Sequence, residues 1–367
     1  MKRMIITATF VALTAVSSEA RAQELPAGYP ESYNALLEAA RAEKSLLVYT
    51  NMEPVQWEGA IELFNGLLPE IEVKFLELNS GEIGARYQAE TSSGQASADL
   101  IVTTDIATWV NMMEADQILP YVSPEADAYP EWSRPHVGLY TIAADPMMFM
   151  WNKALLPDDM VPSGMGELAE LAKSNPEIFN GKLTSYDATT PYGYNAYSAF
   201  IRFHGDEGWA WLDTLAPMTR PDGTGPMLEK VTSGEYVLSY FMGAGVARLA
   251  LNDPARAAIV GLAPIADGNP IVLRGAAIPK TARASESAKV LIDVLLSREG
   301  QISLGKRART PLRPDVTSAD VDGGLTYADV VAQIGEEKMI PILFDKSLAS
   351  NEALAAFTAR YRQAAAK

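Results

Sequence analysis

From Ser45 onward, short apolar runs alternate with longer stretches whose apolar residues recur every three or four positions, the pattern of strands joined by amphipathic helices. "SLLVYT" (45–50) reads as a strand, and Pro54 suits the first turn of a following helix with Trp57, Ala60, Ile61, Phe64 and Leu68 on one face. "IEVKFLEL" (71–78) alternates Ile71, Val73 and Phe75 with Glu72 and Lys74, after which Asn79 or Ser80 can cap the helix "GEIGARYQAETSS". "ADLIVTT" (98–104) then runs into "DIATWVNMMEADQ". This strict alternation predicts a parallel sheet with crossover helices.

The pattern restarts at "DPMMFMWNK" (145–153), followed by a linker-like "LLPDDMVPSGMG", a helix near 165–174, a strand "GKLTSY" (181–186) and a helix from about 192. Further strands are expected at "YVLSYF", at "AAIVGLAP" (257–264) and at "GNPIVLRGAAIPKTA", before the amphipathic helix "SESAKVLIDVLLS" (285–297). The fold class is therefore α/β in two lobes, connected near 144–150 and 268–278. Residues 23–144 and 270–310 are assigned to one lobe and 145–269 to the other, with the lobe of the helices in 311–367 left open.

The first 22 residues have a different logic. Lys2 and Arg3 precede an apolar run from Met4 to Val16, and Ala20-Arg21-Ala22 forms a small-x-small site, as in a cleaved secretory signal peptide. Cleavage there removes three basic residues and one acidic residue, taking the net charge from −16 to −18. Such an acidic chain repels phosphate backbones and argues against nucleic-acid binding. It contains no cysteine. Export without disulfides points to a protein that relies on its apolar core, in a periplasm.

Enzyme signatures are weak. The two histidines, His136 and His204, lie in no metal-ligand spacing, and neither a nucleophile elbow nor a phosphate-binding loop occurs. Gly243 and Gly245 lead to Arg248 where a dinucleotide fingerprint needs a small residue, and the basic run "KRARTPLR" (306–313) reads as an anion site or as a solvated helix end. No catalytic residue, metal ligand or cofactor is assigned.

In open α/β sheets ligands bind beyond the carboxyl ends of the strands. That rule selects Tyr49, Asn51, Ser80, Thr103, Thr104, Asp105, Thr190, Tyr192, Tyr194 and Tyr240 as candidate ligand-binding residues. Each has a plainer reading too: Tyr49 can pack between sheet and helix, Ser80 can simply cap a helix, and Thr103 can simply end a strand.

The order and spacing of "LLVYT", "AIELFNGLLPEIEVKFLELNSGEIGARYQAE", "ADLIVTTD", "MFMWNKALLP", "FNGKLTSYD" and "AAIPKTARASESAKVLIDVLLSREGQ" resemble the substrate-binding proteins of bacterial ABC importers, of the type that includes ferric-ion-binding periplasmic proteins. The resemblance implies a type II, Venus-flytrap architecture with a strand hinge, a monomer that closes on one ligand and delivers it to an inner-membrane permease. Iron-binding members use a histidine, a glutamate and two adjacent tyrosines. "YTNMEP" here lacks the histidine, Thr104 stands in the glutamate's place, and "LSYFM" offers Tyr240 but then Phe241, which has no donor atom. The expected cargo is accordingly a small polar organic ligand, with an anionic group (carboxylate, phosphonate or phosphate) favoured because helix starts at Ser80, Thr104 and Thr190 present free N–H groups. Arg248, Arg274 and Arg313 are the candidate counter-charges. The alternatives are a cationic ligand caged by Tyr49, Trp57, Tyr192, Tyr194 and Tyr240 and neutralised by Glu53 or Asp105, ferric ion, or an exported enzyme or sensor on the same scaffold.

Overall fold

A computed structural model describes residues 28–367; the expected signal peptide lies outside them. The ten strands are β1 (Ser45–Thr50), β2 (Glu72–Glu77), β3 (Leu100–Thr103), β4 (Leu139–Asn152), β5 (Leu183–Ser185), β6 (Thr219–Pro221), β7 (Leu238–Gly243), β8 (Val260–Ala263), β9 (Asn269–Ala277) and β10 (Met339–Pro341). β1 pairs in parallel with β2 and with β3, and the helices Glu58–Leu67 and Ser80–Ser92 supply the crossovers. This half follows the hydrophobic pattern closely. Phe64 and Ala60 are fully buried, and Trp57 packs on Phe75 at a centroid distance of 4.8 Å.

The two lobes share a pair of strands. β4 is much longer than the apolar run from Asp145 suggested: its first part, Leu139 to Pro146, pairs antiparallel with β9. Its second part, from Met147, pairs with β7 and β8. Pro146 sits where the strand passes from one partner to the other, a place where a missing N–H costs the ladder little. β9 in turn meets β3 at Gly275 to Ala277 and β10 at Asn269 to Ile271. The whole strand order is β2-β1-β3-β9-β4-β7-β5-β6.

Two irregularities aim side chains. Across from Thr141 to Ala143, only Gly275 and Arg274 oppose three residues of β4, so the strand bulges next to Arg274. In β7 three residues, Tyr240 to Met242, span the interval that two occupy on β4, and Phe241 takes a left-handed φ of 56°. Gly275 is required by packing, since a Cβ there would lie 2.6 Å from the Trp109 ring.

The run 257–264 is not one strand. Asp253 accepts a hydrogen bond from the Ala255 N–H at 2.9 Å and Pro254 opens a short helix, Pro254–Ile259, leaving only β8 extended. The final helix, Asn351–Ala365, packs on the helices Pro191–His204 and Asp206–Leu215, with Arg360 forking onto both oxygens of Asp213 at 2.8 and 2.9 Å. It therefore covers the second lobe. No helix among the described residues is long and apolar enough to cross a membrane.

Candidate functional site

Where β1, β3 and the helix Ser80–Ser92 meet the hinge, polar side chains converge. The Asn51 amide donates to Ser80 Oγ at 2.7 Å and to Thr104 Oγ1 at 3.1 Å, and those hydroxyls lie 3.1 Å apart. Asn51 Oδ1 accepts from the Arg274 guanidinium. Arg274 comes from the middle of β9 and is 6% exposed. Asp145, on β4, is 7% exposed; it accepts from Arg309 Nη1 at 2.8 Å and from the Thr310 N–H at 2.9 Å, while Arg274 Nη2 stands 4.0 Å away.

The site holds an excess of buried positive charge. Two guanidiniums share one carboxylate, and the Nε atoms of both arginines are buried without a hydrogen-bond partner. Burial and then the neighbouring Arg309 charge lower the Arg274 pKa to about 10, so it is still charged at neutral pH. A buried cation without full pairing is expensive unless something compensates it.

The second lobe supplies hydroxyls. Tyr186 and Tyr192 make an edge-on pair with centroids 4.9 Å apart, and Tyr186 shares a 2.7 Å hydrogen bond with Thr224. Burial raises the pKa of both phenols, and the charges of Asp145, Arg274 and Arg309 all act on Tyr192. These tyrosines therefore offer neutral O–H groups. A cavity of about 100 Å³ borders Arg309, lined on one side by Gly245 and Arg248 and on the other by Lys306, Ala308 and Thr310.

The candidates from sequence divide into two groups. Asn51, Ser80, Thr104 and Tyr192 come together around Arg274. Thr190 is exposed and caps the helix that carries Tyr192, accepting from the Gly193 N–H at 3.3 Å. The others need correction. Tyr49 is 2% exposed and its hydroxyl bonds to Glu90 at 2.9 Å, because its strand position turns the ring to the packed helix side. Thr103 is buried and accepts from the Asp105 N–H. Asp105 is spent as a helix cap, accepting from the Thr108 N–H at 2.8 Å. Tyr194 packs edge-on against Phe357 of the last helix. Tyr240 is fully buried, with its hydroxyl on Tyr197 at 3.1 Å and Thr219 at 3.0 Å. Phe241 is buried beside Tyr197 and Phe200. Of the candidate counter-charges, Arg248 donates to the Gly323 carbonyl and Arg313 pairs with Glu125 and Asp315, which leaves Arg274.

Sequence reasoning missed Asp145, Tyr186 and Thr224, and it met Arg309 only as one member of the basic run 306–313. Asp145 did carry a signal: one carboxylate inside an otherwise apolar strand that the fold buries almost completely. Among the described residues no group of three or more histidines or acids is placed to hold a metal ion.

Comparison with known proteins agrees with this architecture. No curated protein matches the chain in sequence. Among solved structures, the substrate-binding protein of an ABC transporter from Agrobacterium tumefaciens superposes with a TM-score of 0.75 at 18% identity, covering 90% of this chain and 96% of that one. Iron-bound HitA from Pseudomonas aeruginosa gives 0.68 at 15% identity, covering 87% and 99%. The periplasmic binding protein AfuA from Actinobacillus pleuropneumoniae, with exogenous fructose-6-phosphate bound, gives 0.66 at 18% identity, covering 88% and 98%. The shared fold is the two-lobed one of type II periplasmic binding proteins, as the sequence implied. The family profile for bacterial extracellular solute-binding proteins matches residues 60–324, and the chain belongs to that family.

Proposed function

We propose that this protein is the periplasmic component of an ABC importer, exported by its first 22 residues, which closes as a monomer on a small organic ligand bearing an anionic group and presents it to an inner-membrane permease. The observation that carries the reading is the pair of buried Arg274 and partly buried Arg309 sharing the single carboxylate of Asp145, each with a buried, unpartnered Nε. Hydroxyls of Ser80, Thr104, Tyr186 and Tyr192 surround that charge, so oxygen-rich ligands find donors from both lobes. Topology supports closure: β4 pairs with β9 through its first part and with β7 and β8 through its second, and small dihedral changes along it, at the bulge by Arg274 and opposite the bulge of β7, can bring the tyrosines onto a ligand held at Arg274.

The cationic-ligand reading has less support, since Tyr49, Trp57, Tyr194 and Tyr240 lie in the core, and both Glu53 and Asp105 serve as helix caps. Ferric ion has less support for the same reason: Tyr240 spends its hydroxyl inside the second lobe, next to Phe241. Turnover has less support, because the sequence carries no recognisable nucleophile-and-base motif. A sensor that presents the same ligand to a membrane receptor would use the same binding step.

Native mass spectrometry of the purified protein, followed by a thermal-shift screen of organic anions and cations, tests the reading. An anion at 100 times its Kd should raise stability by about 2.7 kcal/mol, and Arg274→Gln should weaken binding on the order of a hundredfold. Binding confined to cations, or unchanged anion affinity in Arg274→Gln, refutes it.

A further inference from the structure

Resting on the anion-binding reading, we infer that Asp145 is a specificity-determining residue: as a built-in counter-ion it limits the ligand's buried anionic group to one negative charge, and so selects a carboxylate over a phosphate monoester. The charges at the site are the buried Arg274 and Asp145 and the partly buried Arg309, a net of one positive charge. Of the neighbouring ionic groups, Lys306 pairs with Asp322, Arg313 with Glu125 and Asp315, and Asp105 accepts from the Thr108 N–H and hydroxyl, while Arg248, at the rim of the cavity that borders Arg309, is exposed, donates to the Gly323 carbonyl and is screened by water. Tyr186 and Tyr192 remain neutral.

A carboxylate brings this group of charges to zero. A phosphate monoester, which carries about two negative charges above pH 7, leaves one unit of buried negative charge with no partner, the arrangement that costs most in a low-dielectric site. Asp145 cannot turn away to relieve it. Its Oδ1 is fixed by the Thr310 N–H at 2.9 Å and its Oδ2 by Arg309 at 2.8 Å, on a strand that belongs to both sheets. The guanidinium donors are the same toward either kind of anion, so the discrimination comes from charge and not from the number of hydrogen bonds.

The test uses pairs of anions matched in carbon skeleton, glycerate against glycerol phosphate and gluconate against glucose phosphate, measured by calorimetry and thermal shift at about pH 8, where the phosphate esters are dianions. The wild-type protein should favour the carboxylate of each pair. Asp145→Asn, which keeps the side chain's size and an acceptor for Thr310, should move the affinity ratio toward the phosphate by roughly tenfold to a hundredfold. Combining it with Arg309→Gln restores the net charge and should return the ratio to the carboxylate. If Asp145→Asn does not fold, Arg309→Gln alone should move the ratio further toward the carboxylate. A wild-type preference for phosphate esters, or a ratio that none of these substitutions moves while anions still bind, overturns the role of Asp145 alone. Binding of neither series to any of the proteins overturns it together with the anion-binding reading.

Discussion

Asp293 offers a direct test of how burial and hydrogen bonding set a charge in this protein. It lies in the helix Ser285–Leu296, fully buried, and accepts hydrogen bonds from Tyr33 at 2.8 Å and Tyr121 at 2.5 Å. Lys289, one turn earlier on the same helix, pairs with Glu286 at 2.7 Å, and no basic group among the described residues pairs with Asp293. Desolvation pushes its pKa up from 3.8 to about 6, with the hydroxyls of Ser123, Tyr121 and Tyr33 pulling the other way. The native state thus holds a proton that the unfolded chain has released, and stability must fall as the pH rises from about 4 through about 6. A shift of about two pKa units corresponds to about 3 kcal/mol. Asp293→Asn removes the titration while keeping the shape. Urea unfolding of both proteins at intervals from about pH 4 to about pH 7.5 isolates the term, because every other group is common to the two. The difference in unfolding free energy between wild type and variant should change by about 3 kcal/mol across that window, at the wild type's expense as the pH rises. Curves that stay parallel refute the argument and mean that the tyrosine hydroxyls fully compensate the buried carboxylate.

Two further outcomes follow from the packing. Tyr240→Phe removes a hydroxyl shared with Tyr197 and Thr219 inside the second lobe, so it should lower stability by about 1 kcal/mol in denaturant melts and leave ligand affinity unchanged. A loss of affinity would return Tyr240 to the cleft. Gly275→Ala places a Cβ 2.6 Å from Trp109, whose indole N–H is fixed to the Thr103 carbonyl at 3.1 Å, and should destabilise by about 1–3 kcal/mol in the same melts. A neutral result would show that the ring can move.

The first lobe was readable residue by residue. Its strands and helices are local patterns, and Asn51, Ser80 and Thr104, picked out because they follow strand ends, do lie within hydrogen-bonding distance of one another. The same rule failed at Tyr240. The bulge in β7, with Phe241 at a positive φ, leaves both aromatic rings in the core, and the extra residue that decides this leaves no mark in an apolar run. Tyr194 failed for another reason: the helix Asn351–Ala365 returns over the second lobe and covers it, a contact between residues more than 150 positions apart.

By itself, then, the sequence determined the alternating α/β order, the two-lobed class and the family, because hydrophobic periodicity and capping act over a few residues and survive wide divergence. Only the tertiary structure decided the charge of the cleft. Arg274, Arg309 and Asp145 stand on three separate segments, two of them apolar strands, with 164 positions between Arg309 and its carboxylate. Buried charges select one another by distance through a low-dielectric interior, and that distance exists only once β4 and β9 lie side by side.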